Sequence, residues 1–281
     1  MLDSATHRKL ALQAAREAIV LLENNDKTLP LPKTEGMSVG LVGPMANNSK
    51  VMIGGKADYQ SAFITTLLAG VTTKMASFGS ESDVGYAQGS AVTKGSDPEA
   101  GLLAAAVTLA SEVDYTIACV GIDATIEHEG TDRTTIGLPP TQLELLQAVA
   151  TTVAKVARKK LIVVLVNGGP LSVDWLKEAT TASPPLVHAV VEAFDGGQSA
   201  GTALADILWG DESPSGSLPF TLYPENFTSQ VPLTNMSMRP YLEHPGFNPG
   251  RTYRESSHLR IQMTPLPALA CPPSAGVCMS L

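Results

Sequence analysis

The densest group of chemically active side chains lies in the twelve residues from Ile122 to Arg133. This stretch contains four acids, one histidine and one arginine. The acids include Glu127 and Glu129, and Asp132 directly precedes Arg133. A solvated surface turn would have this composition. So would a site in which an arginine keeps one carboxylate ionised while another acid retains its proton, and that arrangement predicts general acid–base chemistry.

A second candidate is a nucleophile motif at residues 197–201, which read Gly-Gln-Ser-Ala-Gly. The pattern G-x-S-x-G between a strand and a helix is typical of the serine nucleophile of α/β-hydrolases. Ser199 would be that nucleophile. Acids and histidines follow in the chain order of such a triad, at Asp206 or Asp211 and at His244 or His258. Serine and glycine are also ordinary residues at the start of a helix, so the motif has a purely structural interpretation as well.

The sequence indicates neither a metal nor a dinucleotide. In Glu127-His128-Glu129, neighbouring extended residues would point to opposite sides, and no H-E-x-x-H sequence or cysteine pair supports a metal site. The run Gly40-Leu41-Val42-Gly43-Pro44 lacks the spacing G-x-G-x-x-G, and its proline removes an N–H that would face a phosphate. We therefore predict no cofactor.

Apolar stretches alternate with helical patterns over most of the chain. Six stretches read as strands, at residues 38–42, 84–87, 115–121, 161–166, 186–194 and 218–223. Helical patterns lie near residues 5–24, 97–111, 140–159, 171–181 and 198–209. Uniformly apolar strands are covered on both faces, and strand–helix alternation gives a mainly parallel sheet. We predict an α/β fold, a three-layer sandwich around a mainly parallel sheet of about six strands, with an irregular C-terminal tail.

The predicted organisation has four parts. Residues 1–27 form an N-terminal linker helix, residues 28–225 the α/β sandwich domain, and residues 226–254 an irregular extension of that domain. No periodic pattern is visible over 255–281, where we expect a disordered tail. In open α/β sheets ligands bind beyond the carboxyl ends of the strands, which points to the loops after residues 42, 121, 166 and 194. The charged stretch 122–133 is one of these loops.

Composition and charge exclude several classes of partner. Hydrophobic residues make up 44% of the 281-residue chain, so it can bury a sizeable core. The net charge is −8 and no run rich in lysine and arginine occurs, which argues against a nucleic-acid partner. The longest apolar run, Leu161–Val166, is too short to cross a membrane. We expect Cys119 to be buried, and Trp175 and Trp209 to lie in the core.

A series of motifs extends in a fixed order over about residues 8–254. It comprises Ala14–Asn24 with Leu29-Pro30-Leu31, Val42–Asn47, Gly121-Ile122-Asp123 with 126–133, Asn167-Gly168-Gly169-Pro170, 203–210 with 214–219, and Met238-Arg239-Pro240 with 249–253. In this combination the chain resembles the C-terminal domain of glycoside hydrolase family 3. The resemblance is greatest to the β-xylosidase/α-L-arabinofuranosidase branch of that family.

The resemblance implies the second domain of a retaining glycosidase. In this family a (β/α)8 barrel carries an aspartate nucleophile, and an α/β sandwich domain contributes a loop with the glutamate acid/base. That loop corresponds to residues 127–133, which gives Glu127 as the first choice for the acid/base and Glu129 as the second. Asp132 and Arg133 would order the loop. The same resemblance implies a β-xyloside or arabinofuranoside substrate, a role in xylan breakdown, no metal or organic cofactor, and a secreted or cell-wall location.

The resemblance begins at residue 8, whereas a (β/α)8 barrel needs at least about 200 residues. We therefore expect the nucleophile domain to lie outside this chain, as in a fragment, and the isolated chain to be close to inactive. The first residues lack the pattern of a signal peptide. Three N-x-[ST] sequons, at Asn47, Asn226 and Asn235, agree with a secreted location. The other alternative is a sugar-binding or interaction module that has lost the reaction.

Overall fold

The computed structural model describes residues 3–54, 61–79, 83–93, 99–231, 234 and 236–239. Over these ranges the chain forms a six-stranded sheet with the strand order β1-β6-β5-β4-β2-β3. The strands are β1 (Val20–Asn24), β2 (Ser38–Val42), β3 (Asp83–Ala87), β4 (Tyr115–Gly121), β5 (Lys160–Val166) and β6 (Ala189–Glu192). Strand β1 pairs with β6 in the antiparallel direction, and the other pairings are parallel.

Helices cover both faces of this sheet. One face is packed by α1 (Ala5–Ala18), α2 (Leu67–Ala76) and α6 (Ala200–Leu208). The other face is packed by α3 (Glu99–Glu112), α4 (Pro140–Val153) and α5 (Asp174–Thr181), and a short helix α7 (Phe227–Gln230) follows. The predicted three-layer α/β sandwich with a mainly parallel sheet is therefore confirmed. None of the helices in the described ranges is long and apolar enough to span a membrane.

The central strands are apolar throughout because both of their faces are buried. In β4, Ile117 and Cys119 pack into the layer of α1, α2 and α6, whereas Ala118 and Val120 pack into the opposite layer. Successive side chains of a strand point to opposite faces, so a strand between two helical layers requires an uninterrupted apolar run. The predicted burial of Cys119 is confirmed. Trp209 is also buried, and Trp175 packs partly buried against the second layer.

The predicted helix over residues 5–24 is wrong beyond Ala18. Ser4 caps α1, its hydroxyl accepting a hydrogen bond from the His7 N–H (3.2 Å), and the backbone becomes extended at Ile19. The next five residues form the edge strand β1. A run of adjacent apolar residues fits a helical and a strand period equally well, and here pairing with β6 decides between them. The predicted linker of residues 1–27 therefore includes a strand of the sheet.

Other boundaries differ locally from the prediction. Residues 218–223 do not form a strand. Pro219 in this stretch has no N–H to donate to a sheet, although Leu222 is buried against the layer of α3, α4 and α5. Helix α2 was not predicted, and it begins at a Thr66 cap that accepts a hydrogen bond from the Ala69 N–H (3.2 Å). Of the predicted extension 226–254, the described part contains α7, and the predicted tail 255–281 lies outside the described residues.

The carboxyl ends of β4 and β5 are tied closely together. Gly121 donates its N–H to Oε1 of the buried Gln142 (2.8 Å) and accepts a hydrogen bond from Nε2 of the same side chain (2.8 Å). The next N–H, that of Ile122, donates to the Val166 carbonyl (3.0 Å). Gly121 has a φ of +155°, and a Cβ at this position would overlap the Val166 carbonyl oxygen. These contacts fix the point at which the charged loop leaves the sheet.

We expect Gly121→Ala to lower the free energy of unfolding by about 2–3 kcal/mol, because the added methyl group must displace the end of β5. The matched control is Gly101→Ala on helix α3, where a Cβ meets nothing within 4 Å. It should stabilise the chain by about 0.5–1 kcal/mol, as glycine does not favour a helix interior. Urea unfolding followed by circular dichroism measures both changes. Equal midpoints for the two variants would contradict the expected packing.

Candidate active site

An open cavity of about 440 Å³ lies beyond the carboxyl ends of the central strands. Its walls are the loop after β4, including Asp123 and Glu127, the Gly168-Gly169 pair after β5, Asp195 after β6, and the two residues Val51 and Gly54. Four loops were predicted to bind ligands because they follow the carboxyl ends of strands, and three of them, after residues 121, 166 and 194, meet at this cavity. The cavity is strongly acidic, since carboxylates enter it from two of these loops.

The loop after β4 is built from two consecutive turns. The carboxylate of Asp123 accepts hydrogen bonds from the N–H and hydroxyl groups of Thr125 (2.9 and 2.6 Å), and its carbonyl accepts one from the Ile126 N–H (2.9 Å). A short antiparallel bridge then joins His128 and Thr131. Asn48 from the loop after β2 donates to the other oxygen of Asp123 (3.1 Å). These local bonds place the residues between the turns at the cavity wall.

Glu127 is paired with Arg133 across this loop. The Arg133 Nε–H donates to Glu127 Oε2, and its Nη2–H donates to the Pro170 carbonyl in the loop after β5 (2.9 Å). The Arg133 side chain is only 9% exposed, whereas that of Glu127 is 36% exposed. The arginine therefore lies beneath the surface and joins two loops, and the carboxyl group that it holds reaches the cavity.

The other two predicted residues lie on the rim. Glu129 occupies the exposed tip of the turn before Gly130, and Asp132 is exposed on the return of the same loop. Both line the cavity. All four residues predicted from the sequence are thus brought together, although in different surroundings. The roles assigned to them stay predictions.

Asp195 is a site residue that the sequence analysis did not single out. It follows β6, lines the cavity, and has one carboxylate oxygen, Oδ1, that is buried without a hydrogen-bond partner in the described part of the chain. Burial raises the pKa of Asp195 to about 6, and the nearby charges of Asp123 and Glu127 act in the same direction. The signal in the sequence was its position directly after a predicted strand.

Glu192, three residues before Asp195, is a fully buried acid at the end of β6. Its side chain has no exposed surface, and Oε1 accepts a long hydrogen bond from the Phe194 N–H (3.3 Å). The Asn167 side chain interacts with the same carboxyl group and partly offsets the rise of its pKa, although Oε2 forms no hydrogen bond of normal geometry with the described residues. Burial raises the pKa of Glu192 to about 8, so this carboxyl group is protonated at neutral pH. It lies inside an apolar run, which hid it from the sequence analysis.

The predicted nucleophile motif does not reach this cavity. Ser199 is only 6% exposed and lies in the turn that leads into α6. Asp206 forms ion pairs with Arg16 (2.6 Å) and Lys74 (2.8 Å), which join α6 to α1 and α2. The candidate histidines His244 and His258 fall outside the described residues. An exposed, activated serine is therefore not formed by the residues that the structure describes.

The residues that the structure describes contain no group of three or more histidine, cysteine, aspartate or glutamate side chains that could hold a metal ion.

A family profile described as "Glycosyl hydrolase family 3 C-terminal domain" matches residues 19–260. The chain belongs to this family. The match confirms the resemblance found in the sequence, and it covers the sheet, the helices that follow α1 and the acidic cavity.

Relatives of this family domain are considerably longer than the chain. Beta-D-xylosidase 1 of Arabidopsis thaliana is 36% identical over 248 residues, which are 88% of this chain and 29% of that protein. Beta-xylosidase/alpha-L-arabinofuranosidase 1 of Medicago sativa subsp. varia is 33% identical over 248 residues, again 88% of the chain and 29% of the relative. The chain therefore spans less than a third of the length of these proteins.

Solved structures share the same fold. A GH3 exo-beta-xylosidase, XlnD, in complex with a xylobiose aziridine activity-based probe, superposes with a TM-score of 0.74 at 34% identity, over 90% of this chain and 30% of that one. A GH3 beta-glucosidase of Bifidobacterium adolescentis superposes with a TM-score of 0.69 at 30% identity, over 84% of this chain and 32% of its own.

The buried Glu192 predicts a pH-dependent stability. Because folding raises its pKa, the folded chain holds this proton to higher pH than the unfolded chain does. The contribution of Glu192 to the free energy of unfolding should therefore fall as the pH rises from 4.5 to about 8 and level off above that range, while Asp195 and His188 add their own pH dependence below about pH 6.5. Glu192→Gln should remove this contribution, so the difference in free energy of unfolding between wild type and variant should change by roughly 4 kcal/mol between pH 4.5 and pH 9.

Denaturant unfolding at several pH values measures this difference. Glu178→Gln, on the exposed side of α5, is the matched control and should leave the wild-type profile unchanged. If the free energies of unfolding of wild type and Glu192→Gln changed with pH in parallel, the Glu192 carboxyl group would ionise normally.

Proposed function

We propose that this chain is the acid/base domain of a retaining exo-glycosidase that removes β-linked xylose, with Glu127 as the proton donor. The observation that carries the proposal is the placement of the Glu127 carboxyl group, which faces an open cavity beyond parallel strands and is held by a buried arginine. The names of the relatives support the choice of sugar, because they are β-xylosidases, one of them also an α-L-arabinofuranosidase. An arabinofuranoside is the alternative substrate.

Retaining hydrolysis requires two opposed carboxyl groups about 5–5.5 Å apart. One attacks the anomeric carbon and forms a glycosyl ester, while the other gives its proton to the leaving oxygen. The second group then removes a proton from the water that cleaves the ester. In this proposal Glu127 has the second role. An aspartate on a (β/α)8 domain has the first, and that domain is the partner of the chain.

The choice of Glu127 over Glu129 rests on orientation. A proton donor must be held in a productive geometry, and rigid supporting contacts achieve this. Glu127 is fixed on one side by Arg133, and on the other it lies against Gly169, where a Cβ would overlap Oε1. Glu129 lies at an exposed turn tip.

Asp132 and Arg133 have supporting roles in the same proposal. Arg133 joins the Glu127 loop to the loop after β5 through the Pro170 carbonyl, so it sets the position of the donor. Asp132 lies at the cavity rim, where it contributes to the shape and charge of the loop. No step of the reaction passes through either side chain.

A chimeric enzyme tests the proposal. Residues 8–239 of this chain would replace the matching segment of the exo-β-xylosidase XlnD, which supplies the remaining domains. The chimera should hydrolyse xylobiose, and Glu127→Gln should lower kcat on xylobiose by about 10²–10⁴. With p-nitrophenyl β-xyloside, Glu127→Gln should slow the formation of the glycosyl ester less, because p-nitrophenolate departs without a proton. Azide, which attacks the glycosyl ester without a general base, should restore turnover of that substrate.

Glu178→Gln is the matched control in the chimera and should retain full activity. Loss of activity in Glu129→Gln, with Glu127→Gln unaffected, would transfer the role to Glu129. A folded chimera that binds xylobiose but never cleaves it would favour the sugar-binding module.

A further inference from the structure

Asp195 lines the same cavity as Glu127, but the described part of the chain does not satisfy its carboxyl group. Its Oδ1 is buried and has no hydrogen-bond partner in the described ranges. By contrast, Arg133 holds the Glu127 carboxyl group, and both oxygens of Asp123 accept hydrogen bonds. A buried polar atom that the protein leaves without a partner lowers stability, so the position of Asp195 requires an explanation.

The backbone directly before Asp195 is strained. Phe194 has a φ of +53°, in the left-handed region that bulky residues rarely adopt. Its ring packs edge-on against Phe220, with the ring centroids 6.1 Å apart. The chain leaves the direction of β6 at this residue, and the next side chain, that of Asp195, lines the cavity. Backbone strain of this kind is concentrated at functional sites.

Two glycines keep the space in front of Asp195 open. A Cβ on Gly168 would lie 3.1 Å from Asp195 Oδ2, and a Cβ on Gly54 would lie 3.7 Å from the same atom. Gly168 does not adopt a positive φ, so its backbone conformation does not require glycine. Both glycines line the cavity. Oδ2 therefore borders cavity space that side chains at these two positions would narrow.

The cavity combines apolar and polar surface in a way that suits a sugar ring. Val51, Ile122 and Ala124 contribute apolar side chains to its walls, and Asp195 and Glu127 contribute carboxyl groups. Sites for small molecules commonly combine apolar walls with a few placed polar groups. A pyranose presents C–H groups on the faces of its ring and hydroxyl donors around its edge. An acceptor oxygen beside an apolar wall matches both.

We propose that Asp195 accepts a hydrogen bond from a hydroxyl group of the leaving sugar and thereby selects hydroxylated leaving groups. This inference rests on the proposed function, in which Glu127 gives its proton to the oxygen that joins the two sugars. The partner aspartate attacks the anomeric carbon from the face opposite that oxygen, so side chains on the wall of Glu127 border the leaving group. Asp195 is therefore a specificity-determining residue, and no covalent bond forms or breaks at its side chain.

Substrates with different leaving groups test this role in the XlnD chimera. Xylobiose releases xylose, which carries hydroxyl groups, whereas p-nitrophenyl β-xyloside releases p-nitrophenolate, which has no hydroxyl donor. Asp195→Ala should lower kcat/KM for xylobiose by about 10–100-fold, and the loss on the aryl xyloside should be about tenfold smaller. Asp195→Asn retains an acceptor oxygen and should recover most of the lost activity on xylobiose. Glu178→Gln, on the exposed side of α5, should change neither value.

The full chain permits a test that does not depend on catalysis. In NMR spectra of the ¹⁵N-labelled chain, xylose should shift the amide signals of Gly54 and Gly168, and Asp195→Ala should weaken the apparent affinity for xylose by about tenfold or more. Asp195→Ala should also melt at the same temperature as wild type or higher, because it removes the unpartnered Oδ1. Loss of a residue that only supports the fold would lower the melting temperature.

The outcomes separate this inference from the proposed function. Equal losses on the two substrates would overturn the role of Asp195, and so would xylose shifts that are absent or that Asp195→Ala leaves unchanged. An active chimera with such a result would leave the proposed function intact. An inactive chimera together with xylose shifts that depend on Asp195 would end the proposed function and leave Asp195 as a sugar-binding residue.

Discussion

The Arg133 guanidinium binds groups on two loops that leave neighbouring strands of the sheet. It holds the Glu127 carboxylate on its own loop and the Pro170 carbonyl on the loop after β5. Both contacts depend on the close junction at Gly121 and Val166, which fixes the distance between the two loops. Since Arg133 is largely buried, its charge requires these partners. The two contacts satisfy Nε and Nη2 of this cation, whereas Nη1 is buried without a hydrogen-bond partner in the described ranges.

The two acids near the end of β6 differ from Arg133, because desolvation raises their pKa and favours their neutral forms. Glu192 is buried and Asp195 is half-buried, and each has one buried oxygen that lacks a hydrogen-bond partner in the described part of the chain. Desolvation raises their pKa values to about 8 and about 6. Such groups lower stability as they ionise. A fold selected for stability alone would not place two acids at the end of β6. Their presence agrees with a site in which proton affinity is adjusted by burial and by neighbouring charge.

Much of the fold could be predicted from the sequence because β4 and β5 are buried on both faces, and such strands have an unmistakable apolar run. The charged loop after Gly121 could be recognised for a similar reason, since its acids and its arginine are close in sequence. Strand β1 could not be predicted. Its apolar residues directly follow a helix and fit a helical period as well as a strand period, and only the pairing with β6 shows that they form a strand. Asp195 was missed because its significance comes from Asp123 and Glu127, more than sixty positions earlier in the chain, whereas Glu192 was missed because it lies inside an apolar run.

Strand β1 has a practical consequence for the limits of the domain. It covers the outer edge of β6 through the register Val20 with Glu192 and Leu21 with Val191. An expression boundary placed at residue 28, where the sequence suggested that the domain begins, would strip this cover. The bare N–H and C=O groups of β6 would then be open to pairing with other molecules, and uncovered strand edges of this kind promote aggregation. A shortened protein should therefore start ahead of α1 if it is to be handled at high concentration.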